Sequence, residues 1–135
     1  MEFIPGLTLI EWIEEASSSL SVRLEIFQQI CSAVQHAHSR GILHRDLKPG
    51  NIIVSDKNGT PHAKVIDFGL AKMLDQNSTT KTYCGTPEYL SPEMITQSGH
   101  NFGIDWWALG ILIYEMRIGV TPFYNKNKNL LLTKI

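Results

Sequence analysis

The chain has 135 residues, of which 43% are hydrophobic and 19% charged, a composition that suits one soluble domain and excludes wholesale disorder. Twelve basic residues against thirteen acidic ones leave a net charge of -1. That balance argues against a general binder of nucleic acid or of anionic membranes.

The N-terminus, MEFIPGLTLI, has no basic stretch and carries Glu2, so it does not read as a signal peptide. Leu7 to Glu15 predicts a short helix, followed by the serine run 17–19. Ser21 can cap a longer helix, in which Ile26, Phe27, Ile30, Cys31, Val34 and Ala37 recur at helical spacing. Gly41 is placed to end it in the left-handed conformation. Two β-branched runs, 52–54 and 64–66, flank SDKNGTPH, where Asn58-Gly59 signals a hairpin turn. From Gly69 to Glu93 the chain is polar and aperiodic, which predicts a long surface loop of the kind that usually carries function. The segment 105–116, DWWALGILIYEM, is apolar on every side and belongs in the middle of a domain. Gly119 and Pro122 close it. The longest apolar run, 106–114, is about half of what a bilayer span requires. Cys31 and Cys84 lack metal-type spacing and read as reduced thiols of a cytoplasmic protein.

The chemistry is concentrated in HRDLKPGN, residues 44–51. Moving a phosphoryl group to a hydroxyl needs a carboxylate to take the proton, a cation on the phosphate, and oxygen ligands for Mg²⁺. Asp46 is a carboxylate, Lys48 a cation, and Asn51 an amide oxygen, with Pro49 stiffening the loop. Sixteen residues after Asn51, DFG places Asp67 where it could meet the same metal, and Gly69 lets the backbone turn. A hairpin over 52–66 would bring Asn51 and Asp67 together. Each aspartate alone could be a turn or cap residue; HRDLKPGN, DFG and SPE in this order point to a catalytic origin.

On these motifs the chain resembles the eukaryotic-type (Hanks-type) Ser/Thr protein kinases, over nearly all of its length but only part of the family's domain. SVRLEIFQQICSAVQHAHSRGILHRDLKPGNIIV looks like the bacterial members. TYCGTPEYLSPEM and DWWALGILIYEM are similar to the AGC group of cyclic-AMP-dependent kinases. The resemblance implies an α+β, mainly α fold: an incomplete large C-terminal lobe with a small β-hairpin at the catalytic loop. Residues 1–6 would be the hinge, 44–51 the catalytic loop, 67–93 the activation segment and 105–116 the central helix.

It also implies roles. Asp46 is the catalytic base, Lys48 contacts the γ-phosphate, and Thr86 touches both. Asn51 and Asp67 are the Mg²⁺ ligands. Glu2 and Ile4 offer backbone groups to the adenine of ATP, Ile53 is its floor, and Met1 stands at the gatekeeper position. His44 and Phe68 look like the lower members of the regulatory spine, and Asp105 like its anchor. Thr82 falls where the AGC group carries its activating phosphate, a group that an upstream kinase would add and Arg45 would bind. Thr79 and Thr80 are alternative acceptors. Glu93 is the residue that the family pairs with a later arginine.

The sequence departs from the pattern in two respects. No G-x-G-x-x-G loop precedes the catalytic motif, and no arginine matches the partner of Glu93, so the isolated chain is expected to have little activity, and one side of the central helix to be uncovered. Thr8 and Gly50 stand where arginine-directed AGC kinases carry acidic residues, although Glu115 matches a third such site. The implied reaction is ATP-dependent phosphorylation of Ser/Thr in a protein substrate, with no nucleic-acid or membrane partner. A non-catalytic binding or decoy module is the alternative. A small-molecule phosphotransferase is the third reading, against which the DFG and GTPEYLSPE segments stand.

Overall fold

The computed structural model describes residues 4–68, 72–73, 86–99 and 101–135, with 72 and 73 by backbone alone. Its longest element is helix α2, Leu20–Ser39. Ile26, Ile30, Val34 and Ala37 form its buried stripe, at the helical spacing expected. Its cap is Ser19, whose side chain accepts from the Val22 amide at 3.4 Å, and not Ser21, which lies inside the first turn. Gly41, at φ 74°, turns the chain out of the helix.

The expected first helix is shorter than the sequence suggests. Leu7–Thr8 pairs as strand β1, and helix α1 occupies Leu9–Ala16. Thr8 is the reason. Its hydroxyl caps the Glu11 amide, and the Glu11 carboxylate takes the Thr8 amide at 2.8 Å, a capping box that fixes the first helical residue. These bonds hold the Glu11 carboxyl below its usual range.

After α2 come β2 (Ile42–Leu43), β3 (Ile52–Lys57) and β4 (Thr60–Val65). The hairpin β3–β4 is longer than the β-branched runs alone suggest, with Ile52 opposite Val65 and Lys57 opposite Thr60. Asn58 and Gly59 form its two-residue turn at φ 56° and 82°, the all-positive pair that matches strand twist. The outer edge of β4 is occupied by one side chain of α2. Gln29 donates to the Pro61 carbonyl at 3.2 Å and accepts from the Ala63 amide at 2.8 Å. β1 joins the other side of β3, giving the order β1-β3-β4.

The stretch expected to be one long surface loop contains ordered pieces. Strand β5, Lys72–Met73, pairs antiparallel with β2. A 3₁₀ turn spans Pro87–Tyr89 and helix α3 spans Pro92–Ile95. Tyr89, Leu90, Ser91 and Met94 are buried, so the end of the segment is core rather than loop. Pro87 and Pro92 open these short helices.

Helix α4, Gly103–Ile118, packs against α2, and α5 is Lys128–Lys134. Ala108, Leu109, Ile111, Leu112 and Met116 face the main core with Ile26, Ile30 and Ile52. A second cluster consists of Leu43, Leu90, Met94 and Ile104. The result is the mainly α architecture with a small antiparallel hairpin that the sequence predicts. Among the described residues no helix is long and apolar enough to cross a membrane.

Candidate active site

The segment between β2 and β3 is suspended from α4. Asp105, 1% exposed, accepts from the His44 amide at 2.9 Å through Oδ2 and from the Arg45 amide at 3.0 Å through Oδ1. His38, from the last turn of α2, donates to Oδ2 at 2.7 Å. Arg45 takes a φ of 72° there, an unfavourable region for a residue with a side chain. The His44 ring, also buried, bridges two parts of the site. Nε2 lies 3.0 Å from the Ile66 carbonyl and Nδ1 accepts the Asp46 amide at 3.2 Å, which assigns the ring hydrogen to Nε2.

Asp46 is the hub. Its Oδ1 accepts from the Thr86 hydroxyl at 3.2 Å; its Oδ2 lies 3.3 Å from Asn51 Nδ2 and 3.5 Å from Lys48 Nζ. Asn51 Nδ2 also donates to the Asp46 carbonyl at 2.8 Å. Two acceptors on one side therefore orient the amide nitrogen toward Asp46 and leave Oδ1 for a cation. Pro49 begins the 3₁₀ turn Pro49–Asn51, which buries Asn51 and leads directly into β3. At the far end of the hairpin the Ile66 amide donates to the Asn51 carbonyl at 2.9 Å, so Asp67 follows immediately beside Asn51. Asp67 has a φ of 59°, and Phe68, 43% exposed, sets its ring 4.5 Å from His44.

Thr86 is held by the turn that follows it. The Tyr89 amide donates to the Thr86 carbonyl at 2.9 Å, and the Tyr89 hydroxyl donates to the Glu115 carboxylate of α4. Burial raises the Tyr89 hydroxyl far above its ordinary value, with the Glu115 bond adding to the effect. Burial also raises the Glu115 carboxyl; Tyr89 opposes that shift and Glu88 adds to it.

The remaining expectations are distributed as follows. Ile53 is half-buried on β3, and Gly6 packs so closely on it that an added Cβ would stand 2.6 Å from Ile53 Cγ2. Ile4 is partly buried on the same segment as Gly6. Glu93 lies in the first turn of α3 and makes no ion pair among the described residues. Cys31 is half-buried, and burial pushes its thiol up, away from reactivity. Met1, Glu2, Thr79, Thr80, Thr82 and Cys84 lie outside the described residues. The residues that sequence reasoning missed are His38 and the Tyr89 hydroxyl. Neither carries a motif; both matter through partners on α4 that only the fold brings near.

The donor set suits a hard cation bound partly through its ligand. Among the described residues no group of three or more His, Cys, Asp or Glu could hold a metal. An Asn amide oxygen and an Asp carboxylate joined through the backbone fit Mg²⁺, which takes one or two carboxylates and completes its octahedron with phosphate oxygens and water.

The protein kinase domain family model matches residues 1–135. A "cAMP-dependent protein kinase, catalytic subunit-like" of Caenorhabditis elegans is 49% identical over 128 residues, covering 93% of this chain and 31% of the relative. "cAMP-dependent protein kinase type 3" of Saccharomyces cerevisiae is 50% identical over 128 residues, covering 94% of this chain and 31% of the relative. "Protein kinase 2" of Dictyostelium discoideum is 40% identical over 136 residues, covering 100% of this chain and 28% of the relative. The likeness thus runs through both halves of the sequence, while the chain spans less than a third of the length of these relatives. A carboxylate hub tied to a lysine, an asparagine and a threonine, within a match that leaves no part of the chain out, has one reading: the chain belongs to the protein kinase domain family.

Proposed function

We propose that these residues carry the catalytic loop of a serine/threonine protein kinase, which transfers the γ-phosphoryl group of ATP to a Ser or Thr hydroxyl of a protein. The observation that carries this reading is the single cluster in which Asp46 meets Lys48, Asn51 and Thr86. Asp46 takes the proton as the substrate oxygen bonds to phosphorus and the bond to ADP breaks. Thr86 and Asn51 hold its two oxygens in place, so the carboxylate meets the incoming hydroxyl without reorganising. Lys48, partly exposed, is placed to neutralise the moving phosphoryl group. Asn51 and Asp67 would hold Mg²⁺, which when bound offsets charge on the phosphate oxygens.

Relatives named as cAMP-dependent protein kinases support both the reaction and a protein substrate. In the same reading Glu2, Ile4 and Ile53 contact adenine, and His44 and Phe68 are spine residues anchored by Asp105. Glu93 awaits an arginine partner. Thr82 receives an activating phosphate from an upstream kinase in the cytoplasm, with Arg45 as its ligand.

The test grafts these 135 residues into the matching stretch of the yeast relative, because no G-x-G-x-x-G loop is among them. The graft should transfer labelled phosphate from ATP to Ser/Thr proteins, and Asp46→Asn should lower kcat by about 10³-fold, as loss of a general base does. A graft whose activity is unchanged by Asp46→Asn would remove the proposal.

A further inference from the structure

We propose that Asn58 is a site of spontaneous deamidation, that its turn and the Asp56 carboxylate hold the reaction back, and that the product alters the turn without reaching the Asn51–Asp67 end of the hairpin. Nothing in this chemistry depends on the kinase reading. Asn58 is the only one of the chain's seven asparagines that a glycine follows. Both residues are exposed, so base and water reach them. Glycine in the second position leaves no side chain to shield its amide nitrogen from the neighbouring carboxamide.

The step needs no partner but water. The Gly59 amide gives up its proton to hydroxide, and its nitrogen attacks the side-chain carbonyl carbon of Asn58, Cγ. A C–N bond forms there, the bond to the side-chain nitrogen breaks, and that nitrogen leaves as ammonia with a proton from water. The five-membered cyclic imide that remains takes up one water. Opening at Cγ leaves an aspartate. Opening at the backbone carbonyl leaves an isoaspartate, whose main chain is one methylene longer. Either product places a new carboxylate in the same short turn as Asp56.

The fold opposes ring closure in two ways. Asn58 and Gly59, at φ 56° and 82°, form a mirror-image type I turn. That geometry sets the Gly59 nitrogen on the side of Asn58's own backbone nitrogen, away from Cβ, so the peptide between them must rotate out of the turn before the ring closes. The Gly59 amide also donates to Asp56 Oδ1 at 2.7 Å. Rotation breaks this bond, and a carboxylate beside the amide disfavours the anion that attacks. The far end of the hairpin is insulated. Ile52 and Val54 of β3 are buried, and Gln29 of α2 grips β4 at Pro61 and Ala63. These anchors lie between the turn and the bond from the Ile66 amide to the Asn51 carbonyl.

The experiment follows the whole 135-residue chain in mildly alkaline buffer, native and in urea, by mass spectrometry of the peptide that contains Asn58. Aspartate and isoaspartate should accumulate at Asn58 in both states, about ten-fold or more slowly in the native one, the scale of a hydrogen bond to a charged group. Asp56→Ala should raise the native rate by about five-fold or more and leave the rate in urea unchanged. Asp56→Asn, which keeps an acceptor oxygen without the charge, should lie between that variant and the unaltered chain. In the deamidated native chain, labelled with ¹⁵N, amide shifts should move at residues 56–60. Exchange at the Ile66 amide should change by no more than about two-fold, since local openings are independent of the global one. An Asn58 that stays intact in both states overturns the proposal. So do equal rates in the native chain and in urea, an Asp56→Ala or Asp56→Asn variant no faster than the unaltered chain, or a larger loss of protection at Ile66. If Asp56→Ala does not fold, the native-to-urea comparison and Asp56→Asn still decide.

Discussion

Arg45 and Asp67 hold φ of 72° and 59°, and both lie where the candidate site is assembled. Left-handed backbone costs a residue with a side chain on the order of 1–3 kcal/mol, so the surrounding hydrogen bonds must over-determine it. Asn51 is one of those determinants. Asn51→Ala removes two bonds to Asp46 and a proposed metal ligand. It should destabilise the chain by about 1–3 kcal/mol in urea unfolding, because the part-buried Asp46 carbonyl loses its donor. Glu115 offers a pH test. Burial raises its folded carboxyl above the ordinary 4.5, so the folded state binds the proton more tightly than the unfolded one. Stability from this group is thus present below about pH 4.5 and declines as pH rises toward the raised value. Glu115→Gln keeps an acceptor for Tyr89 without a charge, so the Tm of the native chain should fall relative to the variant across that window; a constant difference in Tm would refute it. In the sequence, Asp46, Lys48, Asn51 and Asp67 could be picked out because they sit at fixed spacing in short motifs. His38 could not, because its partner is 67 residues away.

The same division appears among the elements. α2 and the β3–β4 turn were legible because their signals are local: an apolar stripe with a helical period and an Asn-Gly pair. β1, β2 and β5 were not, since two-residue strands have no period and exist only through their partners. The glycines at the ends of these elements make separate predictions. Gly59, at φ 82°, has open space around an added Cβ, so Gly59→Ala should cost about 1 kcal/mol from backbone conformation alone. Gly6 is different, for an added Cβ would meet Ile53 Cγ2 at 2.6 Å and the Val54 carbonyl oxygen at 2.7 Å. Gly6→Ala should cost about 2–3 kcal/mol and loosen β1 from β3. Urea melts of the two variants with unchanged slope would verify both values, and equal losses would refute the distinction.

At the scale of the whole molecule, the apolar helix α4 is buried on one side among the described residues. Trp106, Tyr114 and Ile118 are 41%, 43% and 56% exposed and follow one another at i, i+8 and i+12, along a single stripe. Leu20 and Leu24, about half exposed, continue apolar surface on α2. α2 begins beside the end of α4, where the Arg23 guanidinium donates to the Met116 carbonyl at 3.0 Å. A surface of this kind promotes association. Sedimentation of the purified chain should show mass rising with concentration, and Tyr114→Lys with Ile118→Glu should shift it toward the monomer. An unchanged distribution in that double variant would place any association elsewhere.

The sequence by itself determined the family chemistry, the long helices and the hairpin, because each is written in residues close together along the chain. The tertiary structure decided how the segment 44–51 is held. Asp105 reaches back 60 residues to the 44–45 backbone, His38 steadies it from α2, and Tyr89 ties Thr86 to α4 through Glu115. These are hydrogen bonds between buried or part-buried polar groups far apart in the chain. Their partners are chosen by which faces pack together, and no local pattern records that choice.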